Sequence, residues 1–311
     1  MTTLLPEGRL VYGMQLPIQS QSTIYAEPWE ADATADDLRR IAQAADRAGF
    51  FYVAVCDHIA IPEDRAGSMG TAWWDTIATL AWLAGLTERV RLLSHVAVLA
   101  YKHPLQTAKA WSTLDQVSGG RAILGVGSGH VEGEFDLLGL DFADRGKLLD
   151  EAIDAVRAAF ADEFPVAKGP QWAFEGCGQR PRPVQVGGPP VWVGGSSKPA
   201  LRRAAERGDG WLPQGPVTQE AVDFIRSHRA ATRGDDPIDI GAIAGPVYVG
   251  EPDWDTGPCL SGPPEKLAHV LKKYSALGVG QVQVRLRSRS VDELLEQIER
   301  FGDEVGPALS G

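Results

Sequence analysis

Along this chain the spacing of apolar positions alternates between two residues and about 3.6, the periods of strand and helix. Residues 10–18 read as a strand. Residues 34–48 read as a helix, with Thr34 as N-cap, Leu38, Ile41, Ala42 and Ala45 on one face, and Gly49 stopping it. The same pairing follows with strand 50–57 and helix 75–87, strand 90–100 and helix 105–117, and strand 122–126 and helix 145–160. The rhythm then stalls over 161–190, a stretch rich in Pro, Gly and Gln that reads as an insertion or lid with short strands. It resumes with strands 191–193, 210–213, 238–249 and 281–286, each followed by a helix: 199–207, 218–232, 264–277 and 291–305.

Eight strand–helix units at this spacing demand parallel strands joined by crossover helices. Eight favour closure into a (β/α)8 TIM barrel over an open sheet, with the insertion after the fourth unit. No linker divides the chain, so residues 1–311 read as a single barrel domain with 161–190 inserted in it.

Composition narrows the partners. The 311 residues are 44% hydrophobic and 23% charged, the balance of a globular protein with a large core. The net charge of −11 repels phosphate backbones and argues against nucleic acid. The first residues, MTTLLPEGRLVYG, lack the basic start and apolar run of a signal peptide, and no apolar stretch is long enough for a bilayer. Cys56, Cys177 and Cys259 are odd in number and far apart, so a reducing cytoplasm is expected rather than a disulfide framework.

In a barrel of this kind the active site lies at the C-terminal ends of the strands. Three of the six histidines fall there: His58 after strand two, His95 in strand three and His130 after strand four. Each alone reads as a satisfied structural group. Three at one rim suggest proton transfer near neutral pH or metal ligation. Against a metal, strand one carries no His-x-His pair and there is no H-E-x-x-H helix, so no metal ligands are assigned.

Two glycine-rich turns lie at the same rim. Gly127-Ser128-Gly129 follows strand four, and Gly194-Gly195-Ser196-Ser197 leads from strand five into a helix. The second suits a phosphate, since glycine lets the backbone approach and the helix N-terminus favours an anion; it suits a plain serine-capped turn equally. Gly125-x-Gly127-x-Gly129 does not match the Rossmann fingerprint. In strand eight, Val282, Val284 and Leu286 alternate with Gln281, Gln283, Arg285 and Arg287. The polar set points into the barrel, and its arginines read either as an internal ion pair or as a clamp on an anion. Trp73 and Trp74 follow strand two on the same side, as packing residues or as walls of an aromatic pocket.

With these blocks in view, the chain resembles the luciferase-like monooxygenase superfamily, in the branch of oxidoreductases that use the deazaflavin coenzyme F420. The likeness runs over nearly the full length. It rests on Tyr12-Gly13-Met14-Gln15-Leu16-Pro17, Ala48-Gly49-Phe50 with Asp57-His58, and Thr113-Leu114-Asp115-Gln116-Val117-Ser118-Gly119-Gly120-Arg121 running to Gly129. Glu134-Phe135, Arg145-Gly146, Pro190 to Gly195 and Gly208-Asp209-Gly210-Trp211 complete it.

The resemblance implies hydride transfer between F420 and a small organic substrate, in a cytoplasmic homodimer. It places His58 at the deazaflavin ring as acid/base or orienting residue, and His130 where relatives carry a glutamate proton donor. It implies a non-prolyl cis peptide at His95-Val96 behind the ring, with Asp57, Ser94, Gly127, Ser128 and Gly129 around it. Gly194, Gly195, Ser196, Ser197, Gln214 and Gly215 would hold the phosphate of the coenzyme tail, and Trp74, Arg285 and Arg287 would meet substrate. The insertion would cover the site. The rival readings are an FMN-dependent monooxygenase of the same superfamily, a metal-dependent TIM-barrel hydrolase and a cofactor-binding protein without catalysis.

Overall fold

The computed structural model describes residues 3–310; Met1, Thr2 and Gly311, the ends of the chain read above as one domain, lie outside the described residues. Eight parallel strands form its centre: β1 (Val11–Gln15), β2 (Tyr52–Val55), β3 (Arg91–Ser94), β4 (Ala122–Gly127), β5 (Val191–Gly194), β6 (Gly210–Leu212), β7 (Asp239–Val249) and β8 (Gln281–Leu286). Each pairs with the next, β8 pairs with β1, and the β6–β7 pairing of Gly210 with Asp239 and Trp211 with Ile240 leaves no free edge. The sheet is therefore a closed (β/α)8 TIM barrel, as the eight-unit alternation predicts.

The helices follow the predicted order: α1 (Ala35–Arg47), α2 (Thr76–Ala84), α3 (Pro104–Ser118), α4 (Arg145–Ala161), α5 (Lys198–Arg207), α6 (Gln219–Arg233), α7 (Pro264–Lys272) and α8 (Val291–Arg300). Side-chain caps set several starts. Thr34 accepts from the amide of Asp37, whose carboxylate reaches back to Thr34; Ser197 and Thr218 accept from the amides of Ala200 and Ala221 and so cap α5 and α6 without that return bond.

Two cores result. The larger lies between strands and helices and takes one face of β8, Val282, Val284 and Leu286, against Leu294 and Ile298 of α8. The smaller fills the barrel with Tyr52, Ala54, Leu93, Ile123, Trp192 and Leu212, and Leu5 joins it. Asp239, at the start of β7, accepts from the amides of Leu4 and Leu5, tying the N-terminal segment to the barrel's base.

The structure refines the sequence reading at three places. The third strand is interrupted: β3 ends at Ser94, the His95-Val96 peptide is cis as the resemblance implies, and Ala97–Val98 pairs separately with β4. Apolar alternation alone could not show the break, because both halves are buried. Short helices at Glu63–Met69 and Glu132–Leu137 occupy stretches to which the apolar pattern assigns no element. The segment after α4 holds a small antiparallel hairpin, Ala167–Lys168 with Ala173–Phe174. Its hydrogen bonds run to the outer layer. Glu151 of α4 accepts from the amides of Gln171 and Trp172, and Asp115 of α3 accepts from those of Val184 and Gln185. These bonds lay the segment along the outside of α3 and α4, and its Phe174 ring reaches His103 at the N-terminus of α3, 6.0 Å between centroids.

Candidate functional site

The strand ends bring together groups far apart in sequence. Beyond β2, His58 places Nδ1 2.8 Å from Oε2 of Glu134. Glu134 sits on the short Glu132–Leu137 helix beyond β4 and is buried. The turn that delivers it depends on Gly129. This residue has φ of +78°, and a Cβ there would lie 2.8 Å from the ring of Phe135. The edge of the His58 ring meets Trp73 at 4.3 Å and His130 at 5.5 Å between centroids.

Charge in this cluster is ordered by its hydrogen bonds. Burial works against ionisation of Glu134, but hydrogen bonds from His58 and the amides of Ile59 and Ala60 hold its carboxyl below the ordinary range. Tyr101 donates to the same carboxylate at 3.1 Å, and its phenol is pushed up, first by burial and then by that charge. Partial burial of the ring, then the neighbouring His58, lowers the proton affinity of His130. A neutral imidazole and an ionised carboxylate therefore flank His58.

His95, beside the cis peptide, has Nδ1 2.7 Å from Oε1 of Gln283 on β8, and burial lowers its proton affinity. This places Gln283 inside the barrel, as the alternation of strand eight predicts. The Cys56 thiol accepts from Gln15 at 2.8 Å and is pushed up to about 12 by burial, so it stays protonated and is no nucleophile.

The glycine turns share this mouth. Val96 sits between them: a Cβ on Gly127 would lie 2.4 Å from its Cγ2, and one on Gly194 2.7 Å from its Cγ1. Ser196 Oγ donates to the carbonyl of Gln214 and accepts from its amide, both at 2.8 Å, joining the turns after β5 and β6. Ser196, Ser197, Gln214 and Gly215 are exposed, and Ser197 caps the N-terminus of α5. These residues fit an anionic tail, with small side chains, backbone room and the positive end of a ten-residue helix.

Several expected contacts lie elsewhere. Ser94 is fully buried and donates to the carbonyl of Gly125 at 2.7 Å, so its hydroxyl serves the barrel wall. Asp57 accepts from Thr76 and from the amide of Val98, holding the chain beyond the cis peptide. Trp74 packs against the larger core, and Trp73 is the tryptophan beside His58. Arg285 and Arg287 do lie at the mouth, but both face one carboxylate, Glu27, at 3.5 and 2.8 Å. The ion-pair reading of strand eight thus has its partner 258 and 260 positions upstream, beyond the reach of any local pattern. Burial, the larger influence, lowers the Arg285 pKa against Glu27. Glu134 was visible only as part of the block Glu134-Phe135; nothing local tied it to His58.

Among the described residues, no group of three or more His, Cys, Asp and Glu could hold a metal ion, and nothing supports the hydrolase alternative. No helix among them is long and apolar enough to cross a membrane.

Fold and mouth together define a TIM-barrel protein with an imidazole–carboxylate pair at the same end as glycine-rich, anion-compatible turns. The model of the luciferase-like monooxygenase family matches residues 11–256, and the chain belongs to that family of oxidoreductases. An uncharacterised protein of Mycobacterium tuberculosis is 32% identical over 197 residues, 60% of this chain and 67% of the relative. The F420-dependent hydroxymycolic acid dehydrogenase of the same organism is 29% identical over 67% of this chain and 58% of its own. The 4-hydroxyprotoasukamycin monooxygenase of Streptomyces nodosus subsp. asukaensis is 30% identical over 54% of this chain and 48% of its own. Among solved structures, the monooxygenase RslO1 from Streptomyces bottropensis superposes with a TM-score of 0.80 at 20% identity, over 96% of this chain and 99% of its own. The coenzyme F420-dependent tetrahydromethanopterin reductase from Methanopyrus kandleri does so with 0.74 at 18%, over 97% and 100%.

Proposed function

We propose that this chain is an F420-dependent oxidoreductase that transfers hydride between the deazaflavin coenzyme and a small organic substrate. The observation that carries the reading is the His58–Glu134 pair, 2.8 Å apart, at the same mouth as the glycine turns around Val96. The F420-dependent relative supports the choice of coenzyme.

Gly194, Gly195, Ser196, Ser197, Gln214 and Gly215 would hold the coenzyme's phosphate, and Gly127, Ser128, Gly129 and the His95-Val96 segment would lie by its ring. When bound, the coenzyme supplies the hydride-carrying carbon. His58 exchanges the substrate proton through Nε2, with Glu134 behind Nδ1. His130, kept neutral beside it, is a second proton acceptor at the rim. Trp73 walls the histidine on one side and excludes water there. Arg285 and Arg287, paired with Glu27 and with Glu30 also acting on Arg285, would meet an anionic group of substrate.

A second reading, an FMN-dependent monooxygenase, draws on the likeness to the 4-hydroxyprotoasukamycin monooxygenase. Equilibrium titration of the purified chain with F420 and with FMN decides between them. We expect tighter binding of F420 and oxidation or reduction of it in a substrate screen. Tighter FMN binding with oxygen uptake would transfer the assignment to the monooxygenase. His58→Ala is expected to leave coenzyme affinity within about threefold and to slow turnover tenfold or more. Unchanged turnover removes His58 from the catalytic role.

A further inference from the structure

Behind His58, the two oxygens of Glu134 have separate duties. Oε1 accepts from the amides of Ile59 at 2.6 Å and Ala60 at 3.3 Å. Oε2 accepts from the Tyr101 hydroxyl at 3.1 Å and faces Nδ1 of His58 at 2.8 Å. The side chain is wholly buried, so water does not share these duties. An ionised carboxylate can only accept hydrogen bonds. Nδ1 of His58 must therefore carry hydrogen, which leaves the lone pair of the neutral ring on Nε2.

We propose that Glu134, anchored by Tyr101 and by the Ile59 and Ala60 amides, is the positioning residue that holds His58 in its Nδ1–H tautomer and so presents Nε2 as the basic atom at the mouth. The functional consequence rests on the reading of His58 as the site's acid/base; the tautomer itself does not.

The anchoring makes one substitution informative. In Glu134→Gln the shape of the side chain is kept, and the two backbone amides at Oε1 still require an oxygen there. The new amide nitrogen must then take the place of Oε2. That nitrogen donates, so Nδ1 of His58 has to accept from it, and the Tyr101 hydroxyl turns to accept as well. The ring hydrogen moves to Nε2, and the mouth now faces a donor where it faced a base. A structural role for Glu134 alone predicts no such exchange.

The test is long-range 1H–15N NMR of the full chain labelled with 15N-histidine. It is run at about pH 8.5, above the ordinary imidazole range, with the His58 signals assigned by their loss in His58→Gln. The wild type is expected to show Nδ1–H and Glu134→Gln to show Nε2–H. Tyr101→Phe should keep the wild-type pattern, because the carboxylate stays in place. In turnover assays Glu134→Gln should lower kcat by about a hundredfold, with KM for the coenzyme nearly unchanged. An Nε2–H ring in the wild type, or the same tautomer in wild type and Glu134→Gln, overturns the proposal. The wild-type tautomer is read without any Glu134 variant, and neither spectrum needs coenzyme. An exchanged tautomer in a chain inactive with both F420 and FMN would therefore sink the activity and uphold the positioning. Turnover with an unexchanged tautomer would do the reverse.

Discussion

Gly127→Ala tests whether Val96 is wedged at the mouth or merely adjacent to it. The added methyl would stand 2.4 Å from Cγ2 of Val96. Carbon atoms settle at roughly 3.5–4 Å, so Val96 must give way by more than about 1 Å. On the other side Cγ1 of Val96 fills the space that a side chain at Gly194 would need, 2.7 Å from that Cβ position. Overpacking of this kind costs about 1–3 kcal/mol, the range expected for Gly127→Ala. Val96→Ala alone removes two methyl groups from a half-buried side chain, about 1 kcal/mol. If the clash is the cause, Val96→Ala in the Gly127→Ala background makes room, and the double variant lies close to Val96→Ala. Independent effects would instead add to within about 0.5 kcal/mol. Urea unfolding of the four proteins, with equal m-values, gives the cycle. Gly127→Ala within about 0.5 kcal/mol of wild type, or plain additivity, refutes the wedge.

Two further outcomes follow from the barrel's interior. Asp239 is buried and its carboxyl is pushed up to about 6, by burial first, against the opposing amides of Leu4 and Leu5. Between the unfolded value near 4 and about 6 the native state holds the extra proton, so this group's contribution to stability is full at pH 4 and is lost as pH rises through 6. Subtracting the urea-derived stability of Asp239→Asn from that of wild type should give a difference that falls by about 2–3 kcal/mol across that window; a flat difference shows that the carboxyl is not perturbed. Tyr52→Phe removes the hydroxyl that donates to Oε1 of buried Gln281 at 2.8 Å. Leaving that oxygen without its donor should cost about 1–3 kcal/mol, and a loss under about 0.3 kcal/mol would show that the bond contributes nothing.

What the sequence made legible was whatever repeats locally. Apolar spacing defined the strand–helix units because each element buries one continuous face, as Leu38, Ile41, Ala42 and Ala45 do on α1. Caps were readable for the same reason: Thr34 and Asp37 satisfy each other within one turn. Strand eight shows how far the pattern reaches. Its alternation placed Gln281 and Gln283 inside the barrel, where Tyr52 and His95 meet them. It could not supply those partners, which belong to β2 and to the turn after β3. Nor could it supply Glu27 for Arg285 and Arg287.

The same division explains the site. His58, His130 and the glycine turns announce themselves because rare residue types cluster at strand ends, where a barrel gathers its chemistry. Glu134 does not, since it is one of 41 acidic residues and follows its strand by a short helix. Its significance comes from burial, which nothing in its neighbourhood specifies except Phe135, packed under Gly129. That packing turns the helix so that the carboxylate points inward across the mouth to a chain segment 76 positions earlier. On the reading proposed above, His58 is thus only half of a functional unit. Its basic nitrogen is chosen by the group behind it, and that choice is made through tertiary packing, not through any spacing of residues along the chain.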